Sequence, residues 1–266
     1  MKELIFIGSS FTQGAGLGYS KYVKYIENRN PETKLYTSDE MYHTYSKYAF
    51  PSLIATELKL PFSNFGVSGK GLSYVMRRVY QSNKINKDTL FVVEFPPGPR
   101  FEIYYPKIDK YIVPTFNEKM DSISYLDDNA NGFREGINET TQLLMQMHLL
   151  QRNFKYEHTL QTYQFVSMVE FLKKHSNVIV LFGEHPNADY NTDEIVKKYI
   201  LDDIVNLGDG YVNFVNWANE TGKTITADTN GEVEDAHFSY YGHELVSKQI
   251  LNKIEELKLK PNYKIV

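Results

Sequence analysis

Three short, almost uninterrupted apolar runs constrain this chain more than any other feature. They are Leu4-Ile5-Phe6-Ile7, Leu90-Phe91-Val92-Val93 within residues 89–95, and Val178-Ile179-Val180-Leu181-Phe182. Gly8, Pro96-Pro97-Gly98-Pro99 and Gly183 stop them. A half-exposed strand alternates apolar and polar residues, whereas a strand apolar at both parities is covered on both faces. The intervening text has helical spacing. Residues 52–58 follow Pro51, which suits a first turn, and residues 72–81 predict a second helix. Residues 158–174 place Leu160, Tyr163, Val166, Val169 and Leu172 on one face, and residues 240–257 do the same with Leu245, Val246, Ile250, Ile254 and Leu257. Residues 62–67 predict a short strand, 193–199 a helix, and Ile204 or residues 211–215 a last strand. Strands alternating with helices, with no antiparallel hairpin signal between them, predict an α/β fold with a parallel sheet under helices on both faces.

Two stretches depart from this alternation. Residues 19–48 are polar and tyrosine-rich and read as loop. Residues 100–154 hold Tyr104-Tyr105, a turn-like segment at 127–132 and a helical run near 140–150. They read as a lid or specificity insertion within one domain spanning residues 1–266.

Composition removes several function classes. With 42% hydrophobic residues in 266, the chain can build a packed core. Lys+Arg 29 against Asp+Glu 33 gives a net charge of -4, which argues against a nucleic-acid partner. The absence of cysteine excludes disulfide scaffolds, thiol nucleophiles and cysteine-ligated metals. No apolar run approaches the roughly 20 residues of a membrane helix or the length of a signal-peptide core, so a cytoplasmic protein without a membrane partner is expected. Gly14-Ala15-Gly16-Leu17-Gly18-Tyr19 lacks the last glycine of a dinucleotide loop, and Gly222-Lys223-Thr224 has Trp217 where a phosphate loop needs glycine. The histidines show no metal-binding spacing. No cofactor is expected.

In parallel sheets ligands bind where strands end at their carboxyl edge, which here means the loops after Ile7, Val67, Phe95 and Phe182. The first of these, Gly8-Ser9-Ser10-Phe11-Thr12-Gln13-Gly14, offers serine hydroxyls on a tight turn, as a nucleophile requires, with backbone N–H groups able to face an oxyanion. Near the other end, Glu234-Asp235-Ala236-His237 places acids beside a histidine, and a catalytic histidine needs such a partner to fix its tautomer. His185, after the strand ending at Phe182, is a further candidate for substrate contact.

Together these blocks resemble the SGNH (GDSL-like) hydrolase superfamily. Gly8, Ser10, Thr12 and Gly14 match its Gly-Asp-Ser-x-Thr-x-Gly opening, with Ser9 in place of the aspartate. Asn64-Phe65-Gly66-Val67-Ser68-Gly69 matches its second block, and Asp235 to His243 its last. The resemblance implies a three-layer α/β/α sandwich around a five-stranded, flavodoxin-like parallel sheet. It implies Ser10 as nucleophile and His237 as general base, with the Ser10 and Gly69 N–H groups as oxyanion donors and Asn64 beside them. The acid is assigned to Asp235, with Glu234 as the alternative. The Gly-x-Asn-Asp block is missing; Phe95-Pro96-Pro97-Gly98-Pro99-Arg100 stands in its place, and Arg100 is the expected substitute donor or anion contact. The activity so implied is hydrolysis of small O-acyl esters, O-acetylated carbohydrate among them, through an acyl-enzyme. An O-acyltransferase with the same triad, or a binding module that has lost efficient chemistry with the asparagine, are the alternatives.

Overall fold

The computed structural model describes residues 1–19, 46–96, 102–105, 109–116, 123–126, 132–133, 154–183, 194–209, 211, 213–259 and 261. In chain order its strands are β1 (Glu3–Gly8), β2 (Phe62–Gly66), β3 (Thr89–Phe95), β4 (Ile103–Tyr105), β5 (Lys110–Phe116), β6 (Ile123–Leu126), β7 (Gly132–Phe133) and β8 (Asn177–Phe182). Its helices are α1 (Ser10–Gln13), α2 (Phe50–Leu58), α3 (Leu72–Tyr80), α4 (Phe154–His175), α5 (Glu194–Tyr199), α6 (Phe214–Glu220), α7 (Ile225–Asp228) and α8 (Tyr240–Glu256).

The apolar runs form the parallel sheet β2-β1-β3-β8. Their two parities separate cleanly. Leu4, Phe6, Leu90, Val92, Ile179 and Leu181 pack under Phe50 and Ile54 of α2, Phe214 and Trp217 of α6, and Val246, Ile250 and Ile254 of α8. Ile5, Ile7, Phe91, Val93, Val178 and Val180 pack under Leu72, Val75 and Val79 of α3 and Phe165, Val169 and Leu172 of α4. Each fully buried side chain of this kind stabilises the fold by ~1.5–3 kcal/mol, so the sheet cannot slip register without exposing a whole face. Gly8 pairs with Gly66 and Phe95 with Phe182, which aligns the strand ends along one edge. Among the described residues, no helix is long and apolar enough to cross a membrane.

Two expectations need correction. Among the described residues the parallel sheet has four strands, not five. Among the described residues, Ile204 and Asn213 make single parallel bridges, to Val180 and Phe182. Gly208 (φ 103°) and Asp209 (φ 51°) turn the chain between them. The Asn213 side chain then accepts from the N–H groups of Val215 and Asn216, so residues expected to extend a strand start α6 instead.

Antiparallel pairing, which was not expected, does occur: β4-β5-β6-β7 form a second, wholly antiparallel sheet within residues 100–154. Its first and last strands are three and two residues long, too short to show a period. Residues 127–131 of the turn-like segment, like the helical run near 140–150, lie outside the described residues. This stretch is tied to α3 by Arg77, whose guanidinium donates to both carboxylate oxygens of Glu102 and lies 4.1 Å from the centre of the Tyr111 ring. Buried Lys70 adds a second cation 3.7 Å from Glu102.

Candidate active site

β1 ends at Gly8, and the chain turns at once into α1, the single helical turn that starts at Ser10. Gly14 closes this turn at φ 87°, a left-handed conformation that favours glycine, with its N–H donating back to the Ser10 and Phe11 carbonyls. Ser10 is 5% exposed at the carboxyl edge of the sheet.

From the far end of the sequence, His237 Nε2 comes to 2.6 Å from Ser10 Oγ. His237 Nδ1 lies 2.6 Å from Asp235 Oδ1, which also accepts the His237 backbone N–H at 2.8 Å. A carboxylate only accepts, so Nδ1 carries its proton toward Asp235 and Nε2 is left to accept from the Ser10 hydroxyl. Burial pushes the Asp235 carboxyl up, but the bonds and charge of His237 outweigh it and hold the group below its ordinary range. Glu234 is exposed, and among the described residues the carboxylate bonded to the imidazole is that of Asp235.

The segment at Asp235–His237 is held mainly by backbone groups bonded to Ile225 and Thr226. Thr226 N donates to the Asp235 carbonyl, Asp235 N donates to Thr226 Oγ1, and Ile225 N donates to the His237 carbonyl. Thr224 bridges to Phe238 in an antiparallel step. Phe11, with its ring centre 5.0 Å from that of His237, backs the imidazole and packs on Phe214 and Phe238. Gly16 leaves room for the acid, because a β-carbon there would lie 2.7 Å from Asp235 Oδ2.

The loop after β2 is bound to the turn that carries Ser10. A β-carbon on Gly66 would meet Gln13 N at 2.4 Å, so β2 and α1 approach closely only because that position is glycine. Gln13 Oε1 accepts both the backbone N–H and the hydroxyl of Ser68. Gly69 follows at φ 78°, and neither its N–H nor that of Ser10 donates to a described group. Asn64 is committed to the scaffold: its amide donates to the Thr12 carbonyl at 3.1 Å, and its oxygen accepts Gly66 N at 2.9 Å. Arg100 and His185 lie outside the described residues. Glu94 and Glu102, the carboxylates next to Arg100 in sequence, bind other groups: Ser9 and Thr12 in one case, Arg77 and Lys70 in the other.

Sequence reasoning did not single out Gln13, Thr226 or Glu94. No local signal marks them, since each acts on a segment distant in the chain or through backbone. His243, by contrast, was named as part of the last block. It sits buried under Phe50, where Nδ1 accepts the Phe50 N–H at 3.3 Å, and burial followed by the charge of His237 lowers its pKa to about 3.

The sequence matches no protein-family model and no curated protein. Among solved structures, it is similar to a member of the lipolytic protein G-D-S-L family from Veillonella parvula, at 11% identity and TM-score 0.38, covering 95% of this chain and 97% of that one. It is also similar to a carbohydrate esterase at 15% identity and TM-score 0.44, covering 97% of this chain and 69% of that one. A third likeness is to the acetyl xylan esterase Est2A of the rumen bacterium Butyrivibrio proteoclasticus, at 10% identity and TM-score 0.43, covering 97% and 64%.

Proposed function

We propose that this chain is a serine ester hydrolase of the SGNH type, working through an acyl-enzyme on Ser10. The observation that carries the reading is the continuous line of hydrogen bonds from Asp235 through His237 to Ser10, with 2.6 Å on either side of the imidazole. In the acylation step His237 Nε2 takes the hydroxyl proton as Ser10 Oγ adds to the ester carbonyl. The negative charge that develops on the carbonyl oxygen is met by the N–H groups of Ser10 and Gly69, which have no other described acceptor. Asp235 stays ionised and stabilises the imidazolium. Collapse of the tetrahedral intermediate expels the alcohol, which receives its proton from His237. Water, activated by the same nitrogen, then releases the acid and restores Ser10.

The low exposure of Ser10, 5%, favours small acyl groups, and O-acetylated carbohydrates are the first natural panel. The test is labelling by a fluorophosphonate probe, with p-nitrophenyl acetate hydrolysis alongside. The wild type is labelled on Ser10, and Ser10→Ala abolishes both signals, by at least ~10⁴-fold. Arg100→Ala belongs in the same series, because the sequence places a cation where the resembled family carries an asparagine donor; a loss of ~10²–10³-fold is expected if it serves the oxyanion. A wild type that neither labels nor hydrolyses any ester in the panel overturns the reading.

A further inference from the structure

The parallel sheet carries one acid inside its core. Glu94, next to last in β3, is 1% exposed and shares a parity with Leu90 and Val92. Its Oε1 accepts the Ser9 hydroxyl, and its Oε2 accepts both the Thr12 hydroxyl and, at 3.0 Å, the Thr12 backbone N–H. Among the described residues no cation is paired with it. Gly8 makes the space: a β-carbon there would stand 2.4 Å from Glu94 Oε2 and 2.3 Å from Thr12 Oγ1.

A carboxylate buried among neutral donors costs more than the apolar side chains that share its face, Val92 two residues before it and Leu181 on the paired strand. Its worth therefore lies in what it holds. Both gripped residues, Ser9 and Thr12, bracket Ser10, so a single rigid group from the central strand restrains the turn before and after the nucleophile. The resembled family carries an aspartate at residue nine of this turn; here that residue is Ser9, and a carboxylate reaches the same turn from β3.

We propose that Glu94 is the positioning residue of the nucleophile, fixing the Ser9–Thr12 turn so that Ser10 Oγ leaves it toward His237 Nε2. The proposal rests on the reading of Ser10 as nucleophile. Burial raises the pKa of Glu94, and the donated bonds of Ser9 and Thr12 offset this only in part. In either protonation state the carboxyl keeps the Thr12 N–H satisfied.

The experiment compares Glu94→Leu, Glu94→Gln, Ser9→Ala and Thr12→Val with the full-length wild type, reading fluorophosphonate labelling of Ser10, kcat and KM on p-nitrophenyl acetate, and thermal midpoint. Glu94→Leu lowers the labelling rate and kcat by about 100-fold, the scale of a misdirected reacting group, with KM unchanged. Glu94→Gln stays within about tenfold of wild type, because its oxygen accepts from Thr12 and its NH₂ donates to Ser9 Oγ. Ser9→Ala and Thr12→Val each remove one contact without touching β3 and lower kcat by about tenfold; they carry the test if Glu94→Leu does not fold. Folded Ser9→Ala and Thr12→Val variants that label at the wild-type rate overturn the proposal. So does a loss of rate that only tracks the folded fraction. A wild type that is itself unlabelled gives a different pattern, silence throughout, and removes the nucleophile reading together with this role.

Discussion

The two ends of the candidate site are held in opposite ways. The Ser9–Gln13 turn sits in the interior, gripped by side chains from other strands and loops: Glu94 from β3, Asn64 from β2, and its own Gln13 reaching to Ser68. The Asp235–His237 segment lies at the surface, with side chains 19% and 30% exposed, and is tied by backbone bonds to the short stretch at Ile225 and Thr226. Ser10 is thus placed by the core and shares the stability of the core. Asp235 and His237 are placed by a local loop at the surface. Substitutions at the first end should cost stability along with activity, whereas those at the second should cost activity nearly alone.

The largest effect that tests this contrast is Asp235→Asn. It leaves the loop backbone in place but favours the wrong imidazole tautomer, and esterase activity should fall by ~10⁴-fold with the thermal midpoint almost unmoved. A large drop in melting temperature would break the contrast. At the other end, Gly8→Ala forces a methyl against Thr12 Oγ1 and the Glu94 side chain, and it should cost ~1–3 kcal/mol or more in denaturant unfolding, with activity falling as well. Wild-type stability would show that the turn is softer than its packing indicates.

His243 adds a pH dependence at the helix that follows the loop. Its folded pKa, about 3, is far below the ordinary histidine value, so the native state stays neutral where the unfolded chain takes a proton. Stability is therefore complete above ~6.5 and falls as the pH drops toward about 3, by up to ~1.4 kcal/mol per pH unit from this group. Urea titrations at several pH values should show the slope, and His243→Phe should flatten it. Next in size, Thr226→Val removes the hydroxyl that accepts Asp235 N; water can take up that amide at the surface, so it should cost no more than about 1 kcal/mol, with a loss of kcat as the larger effect. The smallest effect expected is from Glu234→Gln. The side chain is exposed, and hydrolysis rates should stay within about twofold of wild type. A large loss would move the acid from Asp235 to Glu234.

Much of the scaffold was legible because its signals are local. The buried strands are apolar at both parities, and the helices at Phe50–Leu58, Leu72–Tyr80 and Tyr240–Glu256 show their spacing and their starts in the text. Ser10 and His237 could be named because each stands in a recognisable short block, at a strand end or ahead of a helix. The residues 211–215 misled because their apolar spacing fits strand and helix alike; the Asn213 cap, in contact with Val215 and Asn216, decides for helix. The antiparallel strands within residues 100–154 escaped because the shortest pieces have no period, and pairing partners are not written in local sequence.

By itself, then, the sequence determined the alternation of strands and helices, the edge where chemistry gathers, and the residue types brought to it. These follow from periodicity and turn chemistry, which act over a few neighbouring residues. Only the tertiary structure decided that the acid facing His237 is Asp235 rather than Glu234, since both precede it and only backbone direction separates them. It also decided that Asn64 braces the turn, and that the carboxylate beneath Ser9 comes from Glu94, 85 residues away. Contacts at that separation depend on how strands are ordered in the sheet, and strand order is a property of the packed core that no local pattern records.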